Sequence, residues 1–147
     1  MKSIGKIIVL FLLLILFTTL HSHAKSYSDY QGAIYLQNYD GDTITFNLPG
    51  LHPIIGEKIF VRVNGIDTPE IKGKCEKEKY DAQQARDMVA DILKDAEKID
   101  LKNMKRGKYF RIVADVYVGG ENIADMLIEA GMAVKYDGGK KIKDWCE

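Results

Sequence analysis

A ten-residue segment, VRVNGIDTPE at 61–70, brings together an arginine, an aspartate and a glutamate. Apolar and polar residues alternate over its first four positions, so a strand here would bury its valines and leave Arg62 on the opposite face. Pro69 disfavours helical backbone at the residue before it, which keeps the end of the segment extended. A stiff turn at a strand end often carries functional groups, and this turn would display Asp67, the Thr68 carbonyl and Glu70.

These residue types favour chemistry on a hard cation and a phosphate. Carboxylate and carbonyl oxygens bind calcium and magnesium, and the planar guanidinium of arginine can hold two phosphate oxygens at once. His52 is the only histidine after residue 24 and the two cysteines lie far apart, so neither a zinc site nor a histidine-based triad is indicated. The segment alone also fits a charged surface turn with an incidental ion pair, and that alternative stays open at this point.

A second acidic segment, DGDT at 40–43, lies between two runs of alternating apolar and polar residues. It is not an EF-hand loop, because Gly41 stands at the second position and Leu51 at the twelfth, where that loop needs a glutamate. Its simplest interpretation is an Asp-Gly hairpin turn.

The first 24 residues have the pattern of a cleavable export signal. Lys2 and Lys6 precede an apolar run at 7–20, and small residues follow at Ser22 and Ala24. A membrane anchor is the competing interpretation, but the run is shorter than the roughly 20 residues that a spanning helix needs. We therefore predict a signal peptide at 1–24 and one domain at 25–147, exported to the cell exterior or periplasm and without a membrane-bound part.

The charge balance excludes a strongly basic nucleic-acid binder. Residues 1–24 hold two of the 21 Lys and Arg and none of the 21 Asp and Glu, which leaves a net charge of −2 for 25–147. A polyanionic substrate would need a local basic cluster. One candidate cluster lies at the tip of a predicted hairpin, where it either steers nucleic acid or is simply solvated: Lys102, Lys105, Arg106 and Lys108.

The hydrophobic patterns predict an α+β fold, a small five-stranded barrel of the oligonucleotide-binding kind with one long and one short helix. A Pro/Gly loop is expected at 49–56, and Asn122 and Gly131 would bound the short helix. The predicted strands lie at 33–39, 43–48, 58–64, 98–104 and 109–118. The long helix, over about 76–96, would face the core through Tyr80, Ala85, Met88, Val89, Ile92 and Leu93.

Three segments in this order, DGDT at 40–43, VRVNGIDTPE at 61–70 and KYFR at 108–111, resemble the signature blocks of the staphylococcal nuclease family. The resemblance covers about residues 33–136 and implies calcium-dependent hydrolysis of phosphodiester bonds. The sequence departs from the family pattern in two respects. Phe110 replaces the family's usual glycine before the second arginine, and the chain after the short helix is too short for the family's third helix.

The resemblance also implies roles for individual residues. Asp42, Asp67 and the Thr68 carbonyl correspond to calcium ligands, and Glu70 corresponds to the general base. Arg62 and Arg111 correspond to the arginines that hold the scissile phosphate. The corresponding substrate contacts are Lys108 and Tyr109, with Tyr136 as the candidate for the tyrosine that stacks on the base.

The function implied is that of a monomeric, calcium-dependent nuclease acting on DNA, with RNA as a further candidate substrate. Water would attack in line and leave 3′-phosphate ends. Two other interpretations remain: a catalytically inactive barrel that binds nucleic acid or a protein, and a phosphodiesterase for another substrate. The arginines and carboxylates argue against the inactive barrel, because a binding module does not need a carboxylate beside a phosphate.

Two cysteines in an exported chain suggest a disulfide. Cys75 precedes the long helix and Cys146 is the penultimate residue, so a bridge would tie the chain end to the loop that carries Glu70. Two unpaired thiols are the alternative, because spacing alone does not determine pairing. Trp145 is expected to pack the chain end rather than to stack on a base.

Overall fold

The computed structural model describes residues 27–107, 109 and 111–147, and its longer strands follow the alternating pattern of the sequence. The predicted leader at 1–24, Lys108 and Phe110 lie outside the described residues. The strands are β1 (Tyr30–Gln31), β2 (Ile34–Asn38), β3 (Thr43–Asn47), β4 (Ile59–Val63), β5 (Ile66–Asp67), β6 (Ile99–Arg106), β7 (Ile112–Val118), β8 (Glu121–Asn122) and β9 (Val134–Lys135). The helices are α1 (Pro53–Gly56), α2 (Glu76–Lys94) and α3 (Ile123–Glu129).

Seven strands form one curled sheet in the order β1-β6-β7-β4-β3-β2, with β8 paired to β7. Most pairs are antiparallel, but β4 and β7 run parallel with Arg62 opposite Val113. Strands β5 and β9 pair separately. The sheet curls around an apolar core that includes Ile44, Phe46 and Leu127, so the fold is the predicted α+β, OB-like half-barrel.

The five predicted strands correspond to β2, β3, β4, β6 and β7, which confirms the sheet prediction. The other four strands have two residues each, too few for a period-two pattern to be detected. The prediction of a loop throughout 49–56 was wrong at its end. There the His52 side chain accepts a hydrogen bond from Ile54 N and Pro53 starts the helix α1, a favourable first-turn position for proline.

Helix α2 packs on the core along one stripe of side chains spaced three or four residues apart. Ala85, Val89 and Leu93 are buried as predicted, and Met88 and Ile92 pack partly against them. Tyr80 was predicted to face the core, but it is 61 % exposed. The stripe continues towards the start of the helix through Ala82 and Glu78, and Tyr80 lies to one side of it.

The C-terminal part is short and is fixed to the domain at several points. Helix α3 begins after Asn122, whose side chain caps Ala124 N, and ends before Gly131 at φ +71, as predicted. Between 136 and 147 the structure describes no further helix, which agrees with the expected absence of a third large helix. Trp145 is buried, and Cys75 and Cys146 form the predicted disulfide with their Cα atoms 6.0 Å apart.

No helix in the described part of the chain is both long enough and apolar enough to cross a bilayer.

The acidic turn between β2 and β3 packs closely on α2 through Gly41. A Cβ atom at this position would lie 2.9 Å from both Ala85 Cβ and Thr68 Cγ2. Gly41 does not have positive φ, so its role is close approach rather than unusual backbone conformation.

We expect Gly41→Ala to lower the free energy of unfolding by about 1–3 kcal/mol, because the added methyl group overpacks this contact. The sign of the change in unfolding free energy is informative, since a glycine-to-alanine change without a clash usually stabilises a protein. Urea denaturation measures the effect, and adding Ala85→Gly should reduce the clash contribution in a double-mutant cycle. A stabilised Gly41→Ala variant would show that the turn does not pack on α2 in this way.

Candidate active site

Two adjacent strands bring Asp42 and Arg62 together. Thr43 on β3 is directly opposite Arg62 on β4, and the Asp42 carbonyl accepts a hydrogen bond from Val63 N at 2.8 Å. The Arg62 guanidinium forms an ion pair with Asp42 Oδ1 and donates to the Ile66 carbonyl at 3.3 Å. The ion pair and the hydrogen bond fix the guanidinium at the end of the sheet.

Asp40 shapes the acidic turn and was not identified from the sequence as a site residue. Its Oδ1 accepts hydrogen bonds from Asp42 N at 3.1 Å and from Thr43 N at 2.7 Å. The sequence did contain an indication of this role, because an aspartate at the first position of a turn commonly accepts hydrogen bonds from the backbone N–H groups two or three residues later. Asp40 is buried, so this turn adds a second carboxyl group beside Asp42.

Asp67 is positioned by the small β5–β9 sheet, where it pairs with Val134. It is 2 % exposed, and three side chains approach its carboxylate. Trp145 Nε1 donates to Oδ2 at 3.4 Å, Lys141 Nζ lies 2.6 Å from Oδ1, and an Arg62 nitrogen lies 3.9 Å from Oδ1. The Lys141 contact is an ion pair, since Oδ1 lacks a partner with good hydrogen-bond geometry.

The buried carboxylates repel one another. Burial raises the pKa of the Asp42 carboxyl, the negative charge of Asp40 raises it further, and Arg62 opposes both effects. Burial is also the largest cause of the raised pKa of Asp40, to which Glu70 adds through its charge. Arg62 therefore only partly neutralises this region, which would be stabilised by an additional cation.

The loop that carries Glu70 is held by Glu78, a residue that was not predicted from the sequence to belong to the site. Glu78 Oε2 accepts a hydrogen bond from Lys74 N at 2.7 Å, and Oε1 accepts one from Glu70 N at 3.4 Å. A glutamate at the third position of a helix commonly bonds the backbone that enters it, so the Cys75-to-Glu78 spacing was an available signal. The loop fits tightly, because a Cβ atom on Gly73 would lie 2.5 Å from the Glu78 side chain.

Lys141 was also missed, and nothing in the local sequence marks it. Its Nζ lies 2.6 Å from both Asp67 Oδ1 and Glu70 Oε1, so the C-terminal segment supplies a cation to two predicted site residues. Burial lowers the pKa of Lys141, but its interactions with the two carboxylates outweigh that effect and raise it overall. The ammonium group is therefore charged at neutral pH.

Arg111 reaches the same region from the strand next to Arg62. It is the residue immediately before β7, and its side chain lines the same cleft as those of Arg62 and Val113. Arg62, Glu70 and Arg111 line one open cleft of about 800 Å³. Tyr136, Lys105 and Lys141 line it as well.

The predicted substrate contacts are only partly assembled at this cleft. Tyr136 lines it and donates through its hydroxyl to the Gly139 carbonyl at 2.7 Å. Tyr109, at φ 57, is 86 % exposed and is not part of the lining. Lys108 lies outside the described residues, and its predicted role stays a prediction, as does that of Tyr109.

The residues present fit a hard divalent cation. Asp42 and Asp67 are buried carboxylates that both form ion pairs with Arg62, and buried Thr68 has an Oγ1 without a hydrogen-bond partner in the described structure. An all-oxygen donor set selects calcium or magnesium over zinc. A separate cluster of Cys75, Glu78 and Cys146 offers no thiolate ligands, because its two sulfur atoms form the disulfide.

A family comparison accounts for this combination of fold and cleft. The model of the family described as staphylococcal nuclease homologue matches residues 60–144, more than half of the chain. The chain belongs to the staphylococcal nuclease family. The match includes Arg62, Asp67, Glu70 and Arg111, whereas Asp42 lies before it. A search among curated proteins gave no match.

The position of Glu78 in this family member gives a testable prediction. We expect Glu78→Gln to lower the free energy of unfolding by about 1.5–3 kcal/mol, since an amide cannot replace both acceptor oxygens of a buried carboxylate. The matched control is Glu76→Gln in the same helical turn, whose side chain is 91 % exposed and should change stability by less than about 0.5 kcal/mol. Urea denaturation distinguishes them, and equal effects would contradict the assigned role of Glu78.

Proposed function

We propose that the protein is an exported, calcium-dependent nuclease that hydrolyses phosphodiester bonds in DNA, with RNA as a further candidate substrate. The observation that carries the proposal is that Glu70, Arg62 and Arg111 line one cleft, and that Arg62 and Lys141 from the same lining form ion pairs with buried Asp42 and Asp67. A cation site, two phosphate-binding groups and a proton acceptor are the parts that such a reaction needs.

The two arginines would bind the scissile phosphate. Arg62 is already oriented by Asp42 and the Ile66 carbonyl, so little entropy is lost when it meets a phosphate oxygen. Arg111 would approach from the neighbouring strand. Two guanidinium groups can hold non-bridging oxygens while negative charge develops on them during the attack.

Glu70 would accept the proton of the attacking water. Its side chain is 47 % exposed, so water can reach it, while Glu78 and the adjoining loop fix its backbone. Attack in line with the 5′ oxygen of the leaving nucleotide would produce 3′-phosphate ends. Tyr136, on the cleft wall, is our candidate for contact with the neighbouring base.

Calcium would be held by Asp42, Asp67 and the Thr68 carbonyl. When bound, it would supply positive charge that stabilises the phosphate oxygens in the transition state. Calcium is favoured over magnesium because two carboxylates and one carbonyl leave an irregular shell to be completed by water, and magnesium needs near-octahedral geometry.

An inactive binding module is the alternative function. It explains the cleft and its arginines, but it gives no role to the exposed carboxylate of Glu70 beside them. We also propose that the chain acts as a monomer outside the cytoplasm, which rests on the leader pattern at 1–24.

The direct test is to incubate the purified protein with single-stranded DNA, duplex DNA and RNA, each with calcium or with a chelator. We expect calcium-dependent cutting with 3′-phosphate ends, identified by the ability of a phosphatase to free the 3′ hydroxyl. Tight binding of a substrate without any cutting in calcium would favour the binding module instead.

Two substitutions test the assigned roles. Glu70→Gln should lower turnover by about 10²–10⁴ because the proton acceptor is lost, and Arg111→Lys by about 10²–10³ because a point charge replaces a planar fork. Matched controls on helix α2 are Glu76→Gln and Arg86→Lys, which should retain activity. Near wild-type turnover by Glu70→Gln or Arg111→Lys, in samples free of contaminating nuclease, would refute these roles.

A further inference from the structure

Two side chains of the C-terminal tail, residues 140–147, contact the carboxylate of Asp67. Lys141 contacts Oδ1 of this carboxylate, and Trp145 from the same tail contacts Oδ2. Both oxygens of a predicted metal ligand are therefore engaged by a segment that lies more than seventy residues later in the chain.

The tail is attached to the domain next to the same site. Cys146 is bonded to Cys75, the N-cap residue of α2, and Lys77 Nζ donates to the Trp145 carbonyl at 3.3 Å. Trp145 is 8 % exposed. These contacts fix the chain four to five residues beyond Lys141 and so restrict the volume that its ammonium group can explore.

We propose that Lys141 is a further active-site residue, which competes with the divalent cation for Asp67 and holds Glu70 in an ion pair until the cation binds. The inference rests on the proposed function, and it adds a residue that the family blocks do not include. The physical reason is Coulombic. An ammonium group 2.6 Å from Asp67 Oδ1 occupies one side of the ligand and repels a doubly charged ion that approaches the same oxygen.

The binding of the cation at Asp67 and the release of Glu70, the proposed proton acceptor, from its ion pair with Lys141 are then coupled. While Lys141 bridges Asp67 Oδ1 and Glu70 Oε1, the ammonium group occupies one oxygen of the Glu70 carboxylate, which is then not free to contact the attacking water. If Lys141 left Asp67 when the cation site was filled, it would also leave Glu70, and the carboxylate of Glu70 would then be free. The disulfide sets how strongly Lys141 competes, because a tethered group has a high effective concentration at its binding site.

The test is calcium binding by isothermal titration calorimetry on the oxidised protein and its variants. Lys141→Gln should raise calcium affinity by about tenfold or more, since the competing charge is gone. Lys141→Arg, which retains the charge, should stay within about threefold of wild type. Lys140→Gln is the matched control for net charge, because this exposed neighbour is not paired with Asp67 or Glu70 and its loss should change affinity by less than about twofold.

The disulfide provides a second measurement. Cys146→Ser should raise calcium affinity in the wild-type background and have much less effect in the Lys141→Gln background, because both changes remove the same competitor. Amine-labelling mass spectrometry adds an independent readout. Lys141 should react more slowly than Lys140 in metal-free protein, and calcium should increase its rate selectively.

The outcomes separate the two proposals. Equal calcium affinities for wild type, Lys141→Gln and Lys140→Gln would overturn the Lys141 role while leaving the calcium-dependent nuclease intact. Equal increases for Lys141→Gln and Lys140→Gln would also overturn it, because only the net charge of the tail would then matter. If neither wild type nor Lys141→Gln binds calcium, the calcium part of the proposed function fails and the competition fails with it.

Discussion

The ion pair between Arg62 and Asp42 is the interaction around which the candidate site is arranged. It links adjacent strands of the central sheet, and the β4–β7 pairing then sets where Arg111 can enter the cleft. Breaking such a pair would leave a buried charge uncompensated, which is strongly destabilising. The guanidinium is thus a structural partner for a carboxylate as well as a candidate phosphate-binding group, and the two roles require the same orientation.

One arginine does not balance the acidic groups gathered around it. Asp40, Asp42 and Asp67 are all buried, and the raised pKa values of Asp40 and Asp42 record the cost of keeping them charged. Backbone hydrogen bonds at the acidic turn reduce that cost for Asp40, and the charge of Arg62 reduces it for Asp42. Lys141 pairs with Asp67 instead. A bound cation at this site would relieve repulsion that is already present in the folded chain.

Much of this arrangement was predictable from sequence because it is local. The five longer strands, the two larger helices and the association of Arg62 with Asp67 and Glu70 follow from periodicity, capping and a proline within one segment. Tyr80 shows where prediction from periodicity fails. It was assigned to the buried stripe of helix α2, but it lies to one side of that stripe and is exposed. Lys141 could not be predicted, because its position depends on how a tail without regular structure folds back to Cys75.

The segment at 61–70 is held by residues outside the signature blocks. Glu78, Trp145 and Lys141 each contact a residue of that segment, and the roles of Glu78 and Lys141 were not predicted from the sequence. The loop carrying Glu70 is short and half-exposed, so its geometry must be imposed by groups that pack against it. In this chain a glutamate at the start of helix α2 and a disulfide-linked tail hold that loop. Such supporting residues can differ between family members while the chemistry at the cleft stays the same, since each only has to hold the loop in place.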